Sequence, residues 1–431
     1  MKRIIVIGGG FSGCAAAIAA RKTGAEVVIF EKTDLLLGLG NVGGIMRNNG
    51  RYTAAEENIA MGASELFELA DRYALHKNID FPGHQHASLF DIIKLEPEVH
   101  RLLDEMGIQI RMKTRVVDVE MESQGKLKGI ILADESEVEG DAFVETTGSC
   151  GPMGNCVRYG NGCSMCVLRC PSFGPRVSIS EKAGIPDMMG KRADGTFGAL
   201  SGSGKLEKAS LSKEIQHRLN TEGVAVIPLP KEEIVRDKLS QKVCQQYALD
   251  EYAENIILLD TGQAKIMSPY FPIEHLRTIP GFRQARYVDP YAGGKGNSVR
   301  YMSIAERDNT MKVRGLDNLF CGGEKSGLFV GHTEAISTGS LAGHNAGRYC
   351  AGKELLELSR ETAIGDLIAY GNEKIMTEDG LRNRYTFAGA EFFNRMKDKG
   401  LYSVDTREIR ERIRSCGLEN VYEAAGYRVD Q

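Results

Sequence analysis

Ile4-Ile5-Val6-Ile7-Gly8-Gly9-Gly10-Phe11-Ser12-Gly13 is the stretch that decides the fold. Four apolar residues in succession read as a short buried strand, and the glycines that follow end it. Cys14 to Lys22 is a run of strong helix formers that stops before Gly24. Glu26-Val27-Val28-Ile29-Phe30 reads as a second strand, ending at Glu31. Together they make a βαβ unit with Gly8-x-Gly10-x-x-Gly13 at its turn and an acid 23 residues after Gly8. Each residue has a physical task in a dinucleotide site. Gly8 permits the tight turn, Gly10 lets backbone approach a pyrophosphate, and Gly13 lets the helix lie close to the strand. Phe11 and Ser12 open the helix, whose unpaired N–H groups face the phosphates. Glu31, with Lys32 beside it, is placed to accept hydrogen bonds from a ribose. An acid at position 31 favours an unphosphorylated ribose, hence FAD or NAD.

Working outward, the 431 residues are 42% hydrophobic and 26% charged, which excludes a disordered or fibrous chain. The net charge of −4 supplies no general attraction for nucleic acid, so RNA is a partner that charge does not indicate. No apolar stretch approaches the roughly 20 residues of a membrane span. The four apolar residues of the first strand are too few for a signal peptide, so the expected location is cytoplasmic. In a reducing compartment the ten cysteines read as metal ligands, redox groups or small buried residues rather than disulfides.

Residues 114–145 read as a meander of strands leading to Thr146-Thr147-Gly148. Val117 in that meander and Thr147 and Gly148 at its end are candidate cofactor contacts. Leu316 to Cys321 reads as a further strand entering Gly322-Gly323-Glu324, followed by Gly331-His332-Thr333-Glu334-Ala335 and a small-residue helix over 336–348. Gly339, Ala342, Gly343 and Ala346 let that helix lie tight against the first one.

Leu319-Phe320-x-Gly322-Gly323, Gly331-x-x-Glu334 and Gly339-x-Leu341-Ala342-Gly343-x-Asn345-Ala346 resemble the C-terminal flavin motif of the glucose-inhibited division protein A family. That family includes wobble-uridine-modifying tRNA flavoproteins and folate-dependent tRNA uracil methyltransferases. Ile279-Pro280-Gly281-Phe282 and Glu361-Thr362-Ala363-Ile364-Gly365 resemble the methyltransferase branch. The resemblance implies FAD, with Gly323, Glu324, Gly331, Glu334 and Ala335 at the flavin. It also implies an α/β two-dinucleotide-binding-fold FAD domain, Rossmann-like and three-layered. The methyltransferase branch carries a cysteine in the segment after its first βαβ unit. Here that segment reads Gly40-Asn41-Val42-Gly43-Gly44-Ile45-Met46-Arg47-Asn48-Asn49, and no cysteine occurs between Cys14 and Cys150. Arg47, after the double glycine, is a further candidate flavin contact.

Cys156-x6-Cys163-x2-Cys166-x3-Cys170-Pro171 follows directly on the Thr-Gly turn, with Cys150 upstream. The spacing resembles a ferredoxin-type run and makes these four cysteines candidate ligands of a [4Fe–4S] cluster, with zinc as the other soft-ligand option. Cys170-Pro171-Ser172 also resembles a thiol element of the wobble-modifying branch, so Cys170 and Cys150 are candidate reactive thiols, and a structural role stays open. His332 is the best histidine for a proton or hydrogen-bond role. Cys14, Cys321 and Cys350 read as packing residues, and Cys244 and Cys416 carry no assignment. Residues 289–301, rich in glycine with two tyrosines, read as a substrate or connecting loop.

The expected organisation is a split FAD domain over 1–150 and 276–365, an inserted α+β domain over 151–275 that carries the cysteines, and a helical C-terminal segment over 366–431. Leu206–Asn220 and Asp237–Leu259 look helical, and Val224–Pro228 reads as a strand. The expected activity is a FAD-dependent oxidoreductase exchanging electrons with a cysteine-bound cluster or thiol and acting on a small-molecule or one-carbon substrate. No second complete nucleotide fold is visible, so electrons are expected through the cluster or from a protein donor, a ferredoxin-like one among the candidates. The alternatives are a flavin-dependent tRNA uridine modification enzyme and an electron carrier. The oligomeric state stays open, a homo-oligomer included.

Overall fold

A computed structural model describes residues 1–149, 158, 172–200, 204–267, 271–288 and 299–423. Five parallel strands form the central sheet, in the order Leu319–Cys321, Ala142–Glu145, Arg3–Ile7, Glu26–Phe30 and Gln109–Arg111. Side chains alternate along a strand, and here both faces are covered. Ile4, Val6, Val27 and Ile29 pack into the helical side. Ile5, Ile7, Val28 and Phe30 pack against the antiparallel meander Val116–Ser123, Lys126–Leu132 and Glu137–Glu139. This explains why the strands read as unbroken apolar runs: neither face meets water.

The helical side is built on a close crossing of the first helix, Phe11–Lys22, and the long helix, His332–Cys350. A methyl group on Gly339 would collide with the Ser12 carbonyl, and one on Gly343 with the Ala16 carbonyl. A methyl group on Gly347 would strike the Thr23 side chain. Three glycines four residues apart thus form a groove that receives the backbone of the first helix at Ser12 and Ala16 and the Thr23 side chain just past its end. The long helix starts at His332, four residues earlier than its apolar pattern suggests.

Four antiparallel strands form the inserted sheet, in the order Gly204–Leu206, Ala264–Ile266, Asn255–Asp260 and Val224–Pro228. Helix Lys213–Glu222 covers it, burying Ile215 and Leu219 against Ile256, Leu258 and Ile266. Two expectations are corrected here. Leu206 ends a strand, and the helix after it starts only at Lys213, where the Ser212 hydroxyl caps it through Ile215 N. Asp237–Leu259 is not a helical region. Short 3-10 turns over Arg236–Gln241 and Gln245–Tyr247 and a four-residue helix, Glu251–Glu254, lead into the strand Asn255–Asp260. A short apolar run does not distinguish helix from strand, and Ile256 to Leu259 settle as a strand because two partner strands flank them.

The C-terminal part is helical: Ala363–Lys374, Ala390–Asp398 and Thr406–Ser415. Buried Glu57 ties it to the core by accepting hydrogen bonds from Ala363 N and Ile364 N at 2.9 and 3.0 Å. No helix among the described residues is long and apolar enough to cross a membrane.

Candidate functional site

A cavity with about 1650 Å³ of empty space, its mouth included, runs along the carboxyl ends of the central strands. Open parallel sheets commonly bind ligands there. One end is made of backbone. Gly8 sits at φ +104°, a conformation that favours glycine, and its N–H donates to the Phe30 carbonyl at 2.9 Å. Gly13 touches the Gly8 carbonyl so closely that no side chain fits. Gly10 is the opposite: a methyl group added there would meet no atom of the described residues within 4 Å. Gly8, Gly10, Phe11 and Ser12 line the cavity, and Gly13 stands behind it. Ser12 Oγ is buried with no hydrogen-bond partner among the described residues.

Glu31 also lines this end. Its Oε2 accepts from Gly9 N at 2.7 Å, and its Oε1 accepts from the Thr33 N–H and hydroxyl, both at 2.8 Å. The acid therefore braces the glycine turn while standing at the cavity edge. Lys32, Thr147 and Gly148 line the wall as well, and Lys32 donates to the Gly174 carbonyl at 3.0 Å.

Charge dominates the other end. Arg51, Arg176, Lys265 and Arg300 line the cavity together with His332, Gln246, Tyr247 and Cys244. Arg300 pairs with Glu324 at 2.5 Å, and the Ser149 hydroxyl donates to the same carboxylate. Lys265 Nζ donates to the Val42 carbonyl at 2.6 Å. Burial, the main cause, brings its pKa down to about 7, with Lys205, Arg300 and Lys242 adding repulsion. His332 lies 4.9 Å from the Phe11 ring between centroids and 6.0 Å from Phe90. Burial, then Arg51, Lys265 and Arg300, hold its pKa well below the ordinary range, so the imidazole is neutral. Gly43 is required beside it, because a side chain there would strike the His332 ring.

Gly323, Glu324, Gly331 and Ala335 line the cavity, as does His332. Three expected contacts lie elsewhere. Arg47 is held by Asp71, at 3.0 Å through Nε and 2.7 Å through Nη2, and by Glu56 at 2.5 Å. Those carboxylates draw it away from the cavity wall. Val117 is displaced by its neighbour: Val116 is the meander residue that lines the cavity, and the strand register shifts between Val116 and Asp118. Glu334 is fully buried and takes Arg51 Nε at 3.1 Å, Thr386 Oγ1 at 2.6 Å and Phe387 N at 2.9 Å. It clamps the long helix to the C-terminal segment instead of facing the cavity.

Cys14 and Cys321 are buried, with burial pushing both thiols up to about 12, so they are inert packing groups. Cys350 is only half-buried, correcting the expectation of a core residue. Cys150, Cys156, Cys163, Cys166 and Cys170 lie outside the described residues, as do residues 289–298 of the glycine-rich loop. Among the described residues no group of three or more metal-ligating side chains occurs.

Arg51, Lys265, Arg300, Gln246 and Cys244 escape a reading by motif. They come from four separate segments; Arg300 lies in the glycine-rich loop over 289–301 that the sequence singles out, and Asn48 and Asn49 stand three and two residues before Arg51. Asn48 Nδ2 donates to His84 Nδ1 at 2.9 Å, and Arg51 Nη1 donates to Asn48 Oδ1 at 3.1 Å. His84 Nε2 in turn donates to the Gln246 carbonyl at 3.1 Å. A buried polar chain thus runs from Glu334 through Arg51, Asn48 and His84 to the segment that carries Gln246.

Comparison with known proteins agrees with this architecture. Methylenetetrahydrofolate–tRNA-(uracil-5-)-methyltransferase TrmFO of Bacillus licheniformis is 31% identical over 148 residues, covering 34% of this chain and 32% of that protein. The tRNA uridine 5-carboxymethylaminomethyl modification enzyme MnmG of Chlorobaculum tepidum is 38% identical over 97 residues, 22% of this chain and 15% of the relative. The matches thus span a third or less of these curated relatives. Aquifex aeolicus GidA, in its form II crystal, superposes with a TM-score of 0.63 over 96% of this chain and 76% of its own, at 16% identity, a likeness of fold. The family model for Glucose inhibited division protein A matches residues 3–247 and 260–354, most of the length, and the chain belongs to that family.

Proposed function

We propose that this chain binds FAD along the cavity and uses it to modify a uridine in RNA. The observation that carries the reading is the build of the cavity: a backbone cradle at one end, buried cations at the other, in a chain of this family. The cradle fits the cofactor. Gly10 leaves room where a pyrophosphate approaches, Ser12 Oγ has no partner among the described residues, and the first N–H groups of the helix have no intrahelical acceptor. Gly8, Gly10, Phe11, Ser12, Glu31 and Lys32 would hold the adenosine diphosphate half. Thr147, Gly148, Gly323, Glu324, Gly331 and Ala335 would border the flavin. Bound FAD supplies hydride or one-carbon chemistry. The chain's part is to orient and to exclude water: neutral His332 offers a ring nitrogen as acceptor, while Arg51, Lys265 and Arg300 favour an anionic substrate group. Both named relatives act on tRNA uridine, which is the ground for choosing that substrate class. The test is incubation of purified protein, FAD and a reductant with unmodified tRNA transcript, with and without methylenetetrahydrofolate. A uridine mass increase supports the reading, and unchanged RNA in every combination removes it.

A second reading rests on the five cysteines. Ser149 and Pro175 to Val177, which flank the cysteine segment in sequence, line the cavity. Cys156, Cys163, Cys166 and Cys170 would bind a [4Fe–4S] cluster, with zinc or reactive thiols at Cys150 and Cys170 as the other outcomes. A flavin beside a cluster splits an electron pair into single electrons, suited to a ferredoxin-like donor and a small-molecule substrate. Anaerobic iron and sulfide analysis decides it: fewer than one iron per chain ends the cluster assignment.

A further inference from the structure

We propose that Gln246 is a recognition residue for a cyclic imide edge, the CO–NH–CO grouping, at the cation-lined end of the cavity. The inference rests on the reading of the cavity as a flavin and uridine site. Gln246 is 3% exposed, lines the cavity, and its Oε1 is buried with no hydrogen-bond partner among the described residues. An unsatisfied buried acceptor is costly, and native proteins rarely leave one without a ligand or water.

The residue is held independently of any ligand. Its carbonyl accepts from His84 Nε2, and its Cβ fills the space left by Gly389, where an added methyl group would come within 2.7 Å. His84 is a reliable donor. Burial brings its pKa down to about 3, so the ring is neutral, and Asn48 Nδ2 donating to Nδ1 fixes the proton on Nε2. The amide is thus presented by a rigid backbone, as specific recognition requires.

The chemistry of the neighbours narrows the ligand. Gln246 Oε1 calls for an N–H donor. Lys265 and Arg300, held by the Val42 carbonyl and Glu324, stand in the same wall, and their positive field favours carbonyl or anionic oxygens. An N–H flanked by two carbonyls satisfies both demands. Two molecules bring that edge into this cavity under the proposed function: the uracil base of a substrate, and the pyrimidine ring of the flavin itself.

The test measures binding of FAD and of uridine 5′-monophosphate, each with its N3-methylated counterpart, to wild-type protein and to Gln246→Leu. Loss of one buried hydrogen bond lowers affinity roughly tenfold. The expected result is that Gln246→Leu weakens one ligand by about that factor. N3-methylation should weaken the same ligand for wild type but not further for the variant. Loss in the FAD arm assigns the flavin edge, and loss in the uridine arm assigns the substrate base. The proposal is overturned if Gln246→Leu binds both ligands within twofold of wild type, or if methylation costs wild type and variant alike. Should the variant fail to fold, wild type alone decides: equal binding of parent and N3-methylated forms of both ligands overturns the assignment. The proposed function fails separately. A protein that loses FAD affinity with Gln246→Leu yet modifies no uridine keeps this subsite and loses that activity.

Discussion

The two ends of the cavity solve the same problem by different means. At the glycine end, shape does the holding: backbone groups from one contiguous stretch, Gly8 to Gly13, with Glu31 bracing the turn. At the cation end, charge does it: Arg51, Lys265 and Arg300 arrive from distant segments and are kept in place by Glu334, the Val42 carbonyl and Glu324. The first kind of site is intolerant of added atoms. The second is intolerant of lost partners. Substitutions at each end should therefore fail in different ways.

The largest effect is expected at the cation end. Arg51→Met leaves Glu334 buried opposite an apolar side chain, and breaking a buried pair costs about 3–5 kcal/mol. Chemical denaturation should show that loss with an unchanged slope; a change below 1 kcal/mol would mean Glu334 is held well enough by Thr386 and Phe387. Next comes the helix crossing behind the glycine end. Gly343→Ala forces a methyl group into the Ala16 carbonyl, and overpacking of this kind costs about 1–3 kcal/mol. A melting temperature within a degree of wild type would show that the helices separate freely.

The sharpest comparison lies inside the glycine turn. Gly13→Ala meets the Gly8 carbonyl and should destabilise by about 2 kcal/mol, whereas Gly10→Ala meets none of the described residues and should leave stability within about 0.5 kcal/mol. If the cradle holds FAD, Gly10→Val should nonetheless purify without bound flavin. A folded, fully yellow Gly10→Val protein breaks the assignment of that end.

The smallest effect is a pH slope. Folding lowers the Lys265 pKa to about 7 from the ordinary lysine value of 10.5. Between those values the unfolded chain binds the extra proton, so stability rises with pH across that window. The contribution is at most about 1.4 kcal/mol per pH unit for one such group. Lys265→Met should flatten the slope of unfolding free energy between pH 7 and 10 in flavin-free protein; an identical slope would place the titration elsewhere.

The glycine end was legible because its parts are local. A strand, a turn, a helix and a second strand lie within 31 residues, and each residue's task follows from backbone geometry. The meander and Val224–Pro228 were legible for the same reason. Asp237–Leu259 was not, since an apolar run such as Ile256 to Leu259 takes its conformation from the strands beside it. Glu334 shows the limit of a motif: its position in the flavin segment is clear from sequence, but Arg51, 283 residues away, turns it into a clamp. Arg47 shows the same limit, because Asp71 and Glu56 decide where its charge goes.

Sequence by itself determined the βαβ unit, the glycine turn, the C-terminal flavin-type segment and the small-residue helix. These depend on local backbone conformation and on side-chain size, which neighbours in the chain specify. Only the tertiary structure decided which charges meet in the cavity. Long-range ion pairs and the Gln246 Oε1 that no described residue satisfies depend on desolvation, and desolvation exists only once distant segments have closed around a group.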